Sequence, residues 1–433
     1  MKSLLRIFLI LFTLNSAQAE SVEDYIDIND PELANFRVST LQLSDKPVDH
    51  QTLKEWYHNM VELNKYVYGK ISQHDSYDNS YKDRLGIMIA NTLAGYWITR
   101  TGYNTMHEGA HAEAAIAFGS SPDDITYYAG DKKVKTIGSL FLNLLPTPAR
   151  AAVSYSVPDM TAMEDAVISS AGLNAQTEFS RDRAFESVYE GYFHHTETPH
   201  YLMNKIINAV YYYYDPDSSS SDLHSYVSAL KDQNMITDDE LEDTKSFIAH
   251  ASILTTLLSG RTWEAVNAFS NELLDAKSYQ ETLGFNTPIG KVTWPEFNVF
   301  LNKDNISIKT DAFLVNKGFV IGFSNEHSII GLSEGEYSVN VVYRKDKWST
   351  RFEGIYNDQG YGGIKVDANY EINDRFSVFG RIIADNGTMS GRRQFFILNN
   401  DFDFSNEESE VQLQYLIGVE GRFYYCLKGK QIC

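Results

Sequence analysis

Cysteine, positive charge and long apolar runs are all scarce in this chain, and each scarcity limits what the protein can be. Lysine and arginine total 37 against 58 aspartate and glutamate residues, so the formal net charge is −21. Such a surface repels nucleic acid, and nucleic-acid binding is not expected. The two cysteines, Cys426 and Cys433, frame the last eight residues. They could close a small disulfide loop in an oxidising compartment, or they could be a metal-binding pair.

The N-terminus predicts export from the cytoplasm. Lys2 and Arg6 accompany a short apolar core, and Ala17-Gln18-Ala19 forms a small-x-small cleavage site. We therefore expect a signal peptide over residues 1–19 and a protein of the outer membrane or periplasm.

No run after this segment is long and apolar enough to predict a membrane-spanning helix. The longest candidate, Arg84–Arg100, has an apolar core of roughly 15 residues, whereas a span needs about 20. This run favours a buried core helix instead.

The hydrophobic period divides the rest of the chain in two. Residues 20–285 have the helical period, including a helix predicted to begin at Thr161, where Thr161 and Glu164 have the spacing of a capping box. From about residue 290 the period changes to 2, which is typical of strands. We expect an α+β protein of two domains: a mainly helical domain over 20–285 and an antiparallel meander barrel of about eight or nine strands over 290–433.

The strand region resembles the small β-barrels of bacterial outer membranes. In GGIKVDANYEIN, Ile364, Val366 and Ile372 fall on one side of the strand, and Lys365 and Asp367 fall on the other. Strands of about 9–11 residues with an apolar outer face and a polar inner face suit such barrels. The resemblance implies a membrane partner for this domain. A soluble sandwich or barrel with an inner apolar core is the alternative.

The segment MHEGAHAEAA contains an HExxH pattern. On a helix, His107 and His111 lie one turn apart on the same face, where two imidazoles can hold one zinc ion. Glu108 can then act as general base on a zinc-activated water. The alanines around the motif leave the helix little polar surface, so we expect the three residues to be buried and to need a metal as partner.

HEGAHAEAAIAFG resembles the active-site helix of the zincin metallopeptidases, of either the gluzincin or the site-2-protease type. The gluzincin resemblance implies a third ligand from a glutamate on a later helix, with an acidic residue four positions on. Glu178 fits that role, and Asp182 would orient a histidine from outside the coordination sphere. Asn174 is the reserve candidate.

These observations predict a zinc metallopeptidase of the bacterial cell envelope that hydrolyses peptide bonds in a peptide or protein substrate. Two alternatives stay open. One is a non-enzymatic outer-membrane β-barrel channel or scaffold with a periplasmic helical domain. The other is a zinc hydrolase that acts on lipid or cell-wall substrates.

Overall fold

Helices dominate the N-terminal part of the protein and a large antiparallel sheet dominates the C-terminal part, which confirms the α+β class. The structure is a computed structural model that describes residues 33–39, 50–72, 81–146, 150–214, 221–275, 277–316, 319–345, 347–390 and 412–424. Within these ranges the helices are α1 (His50–Ser72), α2 (Tyr81–Ala117), α3 (Ile137–Leu144), α4 (Ala162–Glu190), α5 (Thr198–Lys205), α6 (Ile207–Tyr214), α7 (Asp222–Asp232), α8 (Leu241–Leu258) and α9 (Gly260–Asp275).

The described strands form one large sheet and two small ones. The small sheets contain β2 (Thr126–Ala129), β3 (Lys132–Val134) and β4 (Ala151–Ser154), and β5 (Tyr192–His194) with β6 (Tyr279–Glu281). The large sheet contains β1 (Leu33–Ser39), β7 (Gly284–Thr287), β8 (Gly290–Thr293), β9 (Glu296–Leu301), β10 (Asn305–Asn316), β11 (Phe319–Gly331), β12 (Gly335–Lys345), β13 (Trp348–Asn357), β14 (Gly362–Asn373), β15 (Phe376–Asp385) and β16 (Gln412–Tyr424).

The large sheet has more strands than predicted, and it is not closed into a barrel. Its eleven described strands follow the order β1-β16-β15-β14-β13-β12-β11-β10-β8-β7, with β9 paired to β10. The meander itself agrees with the prediction. One of the additional strands is β1. It lies before the described helices in sequence, but it pairs with β16 at one edge of the sheet. The predicted strand at 394–404, the signal peptide and both cysteines lie outside the described residues.

The large sheet has a polar buried face and an apolar exposed face. In β12, Glu336, Ser338 and Asn340 are buried, whereas Tyr337 and Val339 are 48% and 46% exposed. Helix α4 packs against the buried face, where the Arg181 guanidinium makes two hydrogen bonds of 2.9 Å to the Asp311 carboxylate. The interior of the sheet therefore contains paired charges and hydrogen bonds beside one apolar cluster shared with α4, and many apolar side chains face outward.

The helical part has the opposite arrangement, with an apolar core between α1, α2 and α4. The capping box predicted for α4 is confirmed, because the Thr161 and Glu164 side chains each accept from the other residue's backbone. Close packing of α1 on α2 requires a small residue at Gly109, since a Cβ atom there would lie 2.1 Å from Leu53 Cδ1. This packing fixes the position of the HEGAH turn.

The run Arg84–Arg100 and the HEGAH motif belong to one helix, α2. Its first half is not the buried core helix predicted, because Ile89 and Leu93 are 53% and 64% exposed. None of the helices in the described ranges has the length and apolar content that crossing a membrane requires.

Candidate metal centre

The HEGAH turn places its three polar side chains inside the protein, as predicted. His107, Glu108 and His111 are all buried, and the neighbouring alanines pack in the apolar core. The two imidazoles lie on the same face of α2, with their Nε2 atoms 3.0 Å apart. The spacing in the sequence therefore gives the expected convergence of two metal-ligating atoms.

Hydrogen bonds at the other ring nitrogens determine which tautomer each histidine adopts. His111 Nδ1 lies 2.6 Å from the Ile168 carbonyl oxygen, which can only accept. His107 Nδ1 lies 3.2 Å from the Gln176 side-chain oxygen. Each neutral imidazole thus carries its proton on Nδ1 and directs the Nε2 lone pair toward the same point. Either a metal ion between the two Nε2 atoms or a proton on one of them would satisfy both nitrogens.

Asp222 completes a group of three ligand atoms. Its Oδ2 lies 2.7 Å from His107 Nε2 and 3.3 Å from His111 Nε2. Within the described residues, these three side chains form the one cluster of histidine, cysteine and acidic groups whose ligand atoms all lie within 4.8 Å of one another. Asp222 is the first residue of α7, where the Ser221 side chain accepts the His224 backbone N–H and caps the helix.

Tyr211 contributes a hydroxyl group to the same point. Its oxygen lies 2.9 Å from His107 Nε2, and its ring stacks on the His107 ring at a centroid distance of 5.4 Å. The sequence suggested only a packing role for the tyrosines of α6. The structure shows that Tyr211 also reaches the ligand cluster.

Helix α4 approaches the histidines so closely that only glycine fits at the contact. A Cβ atom at Gly172 would lie 2.5 Å from His107 Nδ1 and 2.6 Å from His111 Nε2. Ile168, Gly172 and Gln176 are spaced four residues apart, so they share one face of α4. That face holds both imidazoles by contact and by hydrogen bonds.

Glu108 lies beside the cluster and is held by the small sheet. The backbone of Val153 in β4 interacts with its carboxylate and acts to lower its pKa. Burial raises the pKa of Glu108, while His107 and His111 act in the opposite direction. A buried carboxylate next to the cluster is therefore positioned to accept a proton.

The charges of the cluster depend strongly on one another. Burial opposes ionisation of Asp222, but the two histidines outweigh this effect and hold the pKa of Asp222 well below its usual range. Burial likewise opposes a charged His111, but Asp222 raises the pKa of His111 to about 9. Burial raises the pKa of Tyr211 well above its usual value, and the carboxylates of Asp222 and Glu108 add to that effect. The cluster therefore combines an ionised carboxylate with a protonated phenol.

The structure does not bring the predicted third ligand to the histidines. Glu178 lies 3.6 Å from Lys54 Nζ, and Asp182 lies 2.6 Å from the same atom. The reserve candidate Asn174 exchanges two hydrogen bonds with the backbone of Leu301. The reason is helical geometry: Glu178 is six residues after Gly172, or about 120° around α4 from the face that contacts the imidazoles.

The histidine-rich segment GYFHHTETPH does not contribute to the described metal cluster. His194, His195 and His200 are buried. His195 Nδ1 lies 3.1 Å from the Ser278 carbonyl oxygen, and His200 Nδ1 lies 2.7 Å from the Thr99 hydroxyl. These rings are structural parts of the helical core.

No protein-family model matches this chain, and neither does any curated protein or solved structure. The zincin resemblance consequently depends on the HEGAH residues alone and stays a prediction. The structure adds a three-residue group that could hold a metal ion.

Proposed function

We propose that this protein is a zinc-dependent metallopeptidase of the bacterial cell envelope. The observation that carries the proposal is the convergence of His107 Nε2, His111 Nε2 and an Asp222 oxygen on one point beside Glu108. The proposal replaces Glu178 with Asp222 as the third ligand.

The geometry of the cluster supports zinc. Tetrahedral zinc with bonds of about 2.0–2.2 Å separates its ligand atoms by roughly 3.3 Å. The three separations in the cluster are 2.7, 3.0 and 3.3 Å. Two imidazoles and one carboxylate are also the ligand types of catalytic zinc sites, which keep a fourth position open. The Nδ1 hydrogen bonds of both histidines supply the outer support that such ligands need.

Each residue at the centre has a separate part in hydrolysis. Zinc, when bound, supplies a Lewis acid that polarises a carbonyl group and acidifies water. The Glu108 carboxylate takes the proton of the attacking water and passes it to the leaving amine. The Tyr211 hydroxyl donates a hydrogen bond to the negative charge that develops on the carbonyl oxygen.

The small sheet favours a peptide substrate over a lipid. In the described sheet β4 pairs with β2 on one side, and the backbone of its Val153 interacts with Glu108. An extended peptide can add to such an edge through backbone hydrogen bonds. A peptide placed there would run beside the proposed general base.

The exposed apolar face of the large sheet supports location at a membrane. Outward side chains on consecutive strands are large and apolar, among them Phe323, Val341, Phe352, Ile364 and Ile382. Contiguous apolar surface of this kind normally contacts lipid or another protein. The same observation favours the second candidate function, a membrane scaffold without catalytic activity.

The test is zinc content and peptide hydrolysis of the purified chain and four variants. His107→Ala and Asp222→Asn are expected to lose zinc. Glu108→Gln is expected to keep zinc and lose hydrolysis. Glu178→Gln is the matched control, because it removes the sequence-predicted ligand, and it should keep zinc.

Three results would contradict this assignment. Wild-type protein without zinc would exclude the metal centre. Zinc loss in Glu178→Gln but not in Asp222→Asn would restore the ligand predicted from sequence. Zinc with no hydrolysis of any peptide would favour the scaffold function.

A further inference from the structure

Helix α2 carries a stripe of side chains that leads away from the metal centre. Residues seven apart on an α-helix return to within about 20° of the same face. Arg100 and His107 have that separation, and Leu93 continues the stripe. At about 1.5 Å rise per residue, Arg100 lies roughly 10 Å along the helix from His107.

The Arg100 guanidinium has no hydrogen-bond acceptor or carboxylate partner within the described ranges of the chain. Its Nε atom is shielded from solvent and makes no hydrogen bond. The buried arginines Arg181, Arg183 and Arg261 differ from the partly buried Arg100 in that each pairs with a carboxylate, although Arg183 Nε also makes no hydrogen bond. Leaving a shielded arginine donor unsatisfied is costly. This cost is removed if an external anion binds there.

The surroundings of Arg100 place this cation beside an otherwise acidic centre. Tyr103 lies between Arg100 and the HEGAH turn on α2. Burial raises the pKa of Tyr103, Arg100 lowers it and Glu108 raises it, so both charges act on the Tyr103 hydroxyl. Glu108 and Asp222 at the centre are both acidic, and the whole chain carries a formal charge of −21. An unpaired cation is therefore a distinctive feature at this position.

We propose that Arg100 binds a carboxylate of the substrate about three residues from the scissile bond. An extended peptide advances about 3.3 Å per residue, so three residues span the roughly 10 Å between Arg100 and the metal centre. The planar guanidinium suits two parallel hydrogen bonds to a carboxylate. The carboxylate belongs either to an acidic side chain or to the C-terminus of the peptide. This inference rests on the proposed peptidase function and names its substrate preference.

The experiment uses the full zinc-loaded chain and fluorescence-quenched decapeptides. One set carries a single Glu or Gln at each position in turn, and a second set has a free or an amidated C-terminus. Wild-type protein is expected to prefer a carboxylate three residues from the cleaved bond by about tenfold or more in kcat/KM. The two sets distinguish a side-chain carboxylate from a terminal one.

The Arg100 variants separate charge from geometry. In Arg100→Gln the ratio between carboxylate and neutral peptides should fall to about one, and Arg100→Lys should retain part of it. Arg375→Gln, on an exposed turn of the sheet, is the matched control and should keep the wild-type ratio. Binding of the same peptides to Glu108→Gln and to the Glu108→Gln, Arg100→Gln double variant gives a second readout that does not depend on turnover.

Failure of this inference can be distinguished from failure of the proposed function. Cleavage without a carboxylate preference, or a preference that persists in Arg100→Gln, overturns the role of Arg100 and leaves the peptidase intact. A zinc-loaded protein that cleaves none of the peptides overturns both.

Discussion

The candidate metal centre and the interior of the large sheet both bury charged groups, but they pair different kinds of side chain. Along the sheet, Arg181 pairs with Asp311, and Arg381 lies 2.6 Å from Asp367. At the metal centre, two imidazole lone pairs and the Asp222 carboxylate face one another. Buried charges are stable when they are paired and hydrogen-bonded. The comparison teaches that the described sheet interior pairs arginines with carboxylates, whereas the candidate centre gathers three side chains of metal-ligating types on one point.

The two regions also differ in which side is apolar. The helical part has a large enclosed apolar core, whereas most strands of the sheet turn large apolar side chains outward. The following predictions test these two differences, beginning with the largest expected effect.

Removing one partner of the paired sheet interior should destabilise the fold and leave the metal centre unchanged. Asp311→Asn leaves the buried Arg181 guanidinium without its carboxylate, which typically costs about 3–5 kcal/mol in the free energy of unfolding. Denaturant unfolding measures the cost, and zinc content is measured on the same folded sample. Asp358→Asn, on an exposed turn of the sheet, is the matched control. Loss of zinc from a protein of unchanged stability would refute the division between the two regions.

Adding one methyl group at the candidate metal centre should weaken zinc binding and leave the sheet interior unchanged. In Gly172→Ala the new Cβ must displace both imidazoles, because it would otherwise lie 2.5–2.6 Å from them. We expect zinc affinity to fall by about a hundredfold, the upper end of what changes outside the ligands cost. Zinc titration against a competing chelator measures the change.

Gly138→Ala provides the control for that substitution. Gly138 also lies in a helix, but nothing lies within 4 Å of a Cβ built there. It should retain wild-type zinc affinity and gain slightly in stability. Equal zinc affinity in both alanine variants would show that α4 does not position the histidines.

The sequence predicted the parts of the centre that are local and missed the parts that are distant. His107 and His111 are four residues apart on one helix, so helical geometry alone brings them together. Asp222 is 115 residues from His107, and nothing in the HEGAH motif indicates it. Ser221 before DLHSYVSALKD is a recognisable capping signal for a helix. That signal could have predicted where α7 begins in the sequence. It could not have predicted that the first residue of α7, Asp222, lies beside the two histidines.

The same limit applies to the large sheet. Alternation with period 2 predicted the antiparallel meander after residue 290, since each strand buries one face, but it did not predict β1 or β7. Pairing between β1 and β16 joins residues at opposite ends of the chain, and no local pattern encodes it. The sheet is not the predicted closed barrel, because among the described strands β1 and β7 form its two edges and do not pair with each other. The misplaced role of Glu178 has a similar origin, because Lys54 on α1 is distant in sequence and provides a competing partner.

A charge placed on the outer face of the sheet should weaken membrane binding. Val341 points outward from β12 and is exposed. If this face contacts lipid, Val341→Arg costs about 2 kcal/mol, in the range measured for arginine on lipid-facing strands. Flotation with phosphatidylcholine vesicles measures the bound fraction, which should fall.

Leu142→Arg tests the helical part in the same assay. Leu142 is an exposed apolar residue of α3, far from the sheet in sequence. Its substitution should leave vesicle binding unchanged. If the wild-type protein does not bind vesicles, or if both variants bind equally well, the outer face of the sheet is not the lipid-contacting surface.

The last prediction concerns His195, a buried histidine of the helical core whose Nδ1 lies beside the neutral Ser278 carbonyl oxygen. Burial lowers the pKa of His195 to about 4, whereas an unfolded histidine has a pKa near 6.5. Its contribution to stability is therefore fully present above pH 6.5 and is lost as the pH falls toward 4, by about 1.4 kcal/mol per pH unit. His195→Asn keeps a donor for the Ser278 carbonyl oxygen but cannot take up a proton. The unfolding free energy of this variant should depend less steeply on pH in that window, and His250→Asn, on an exposed helix face, is the control. Equal slopes for wild type and His195→Asn would mean that His195 is not buried as a neutral ring.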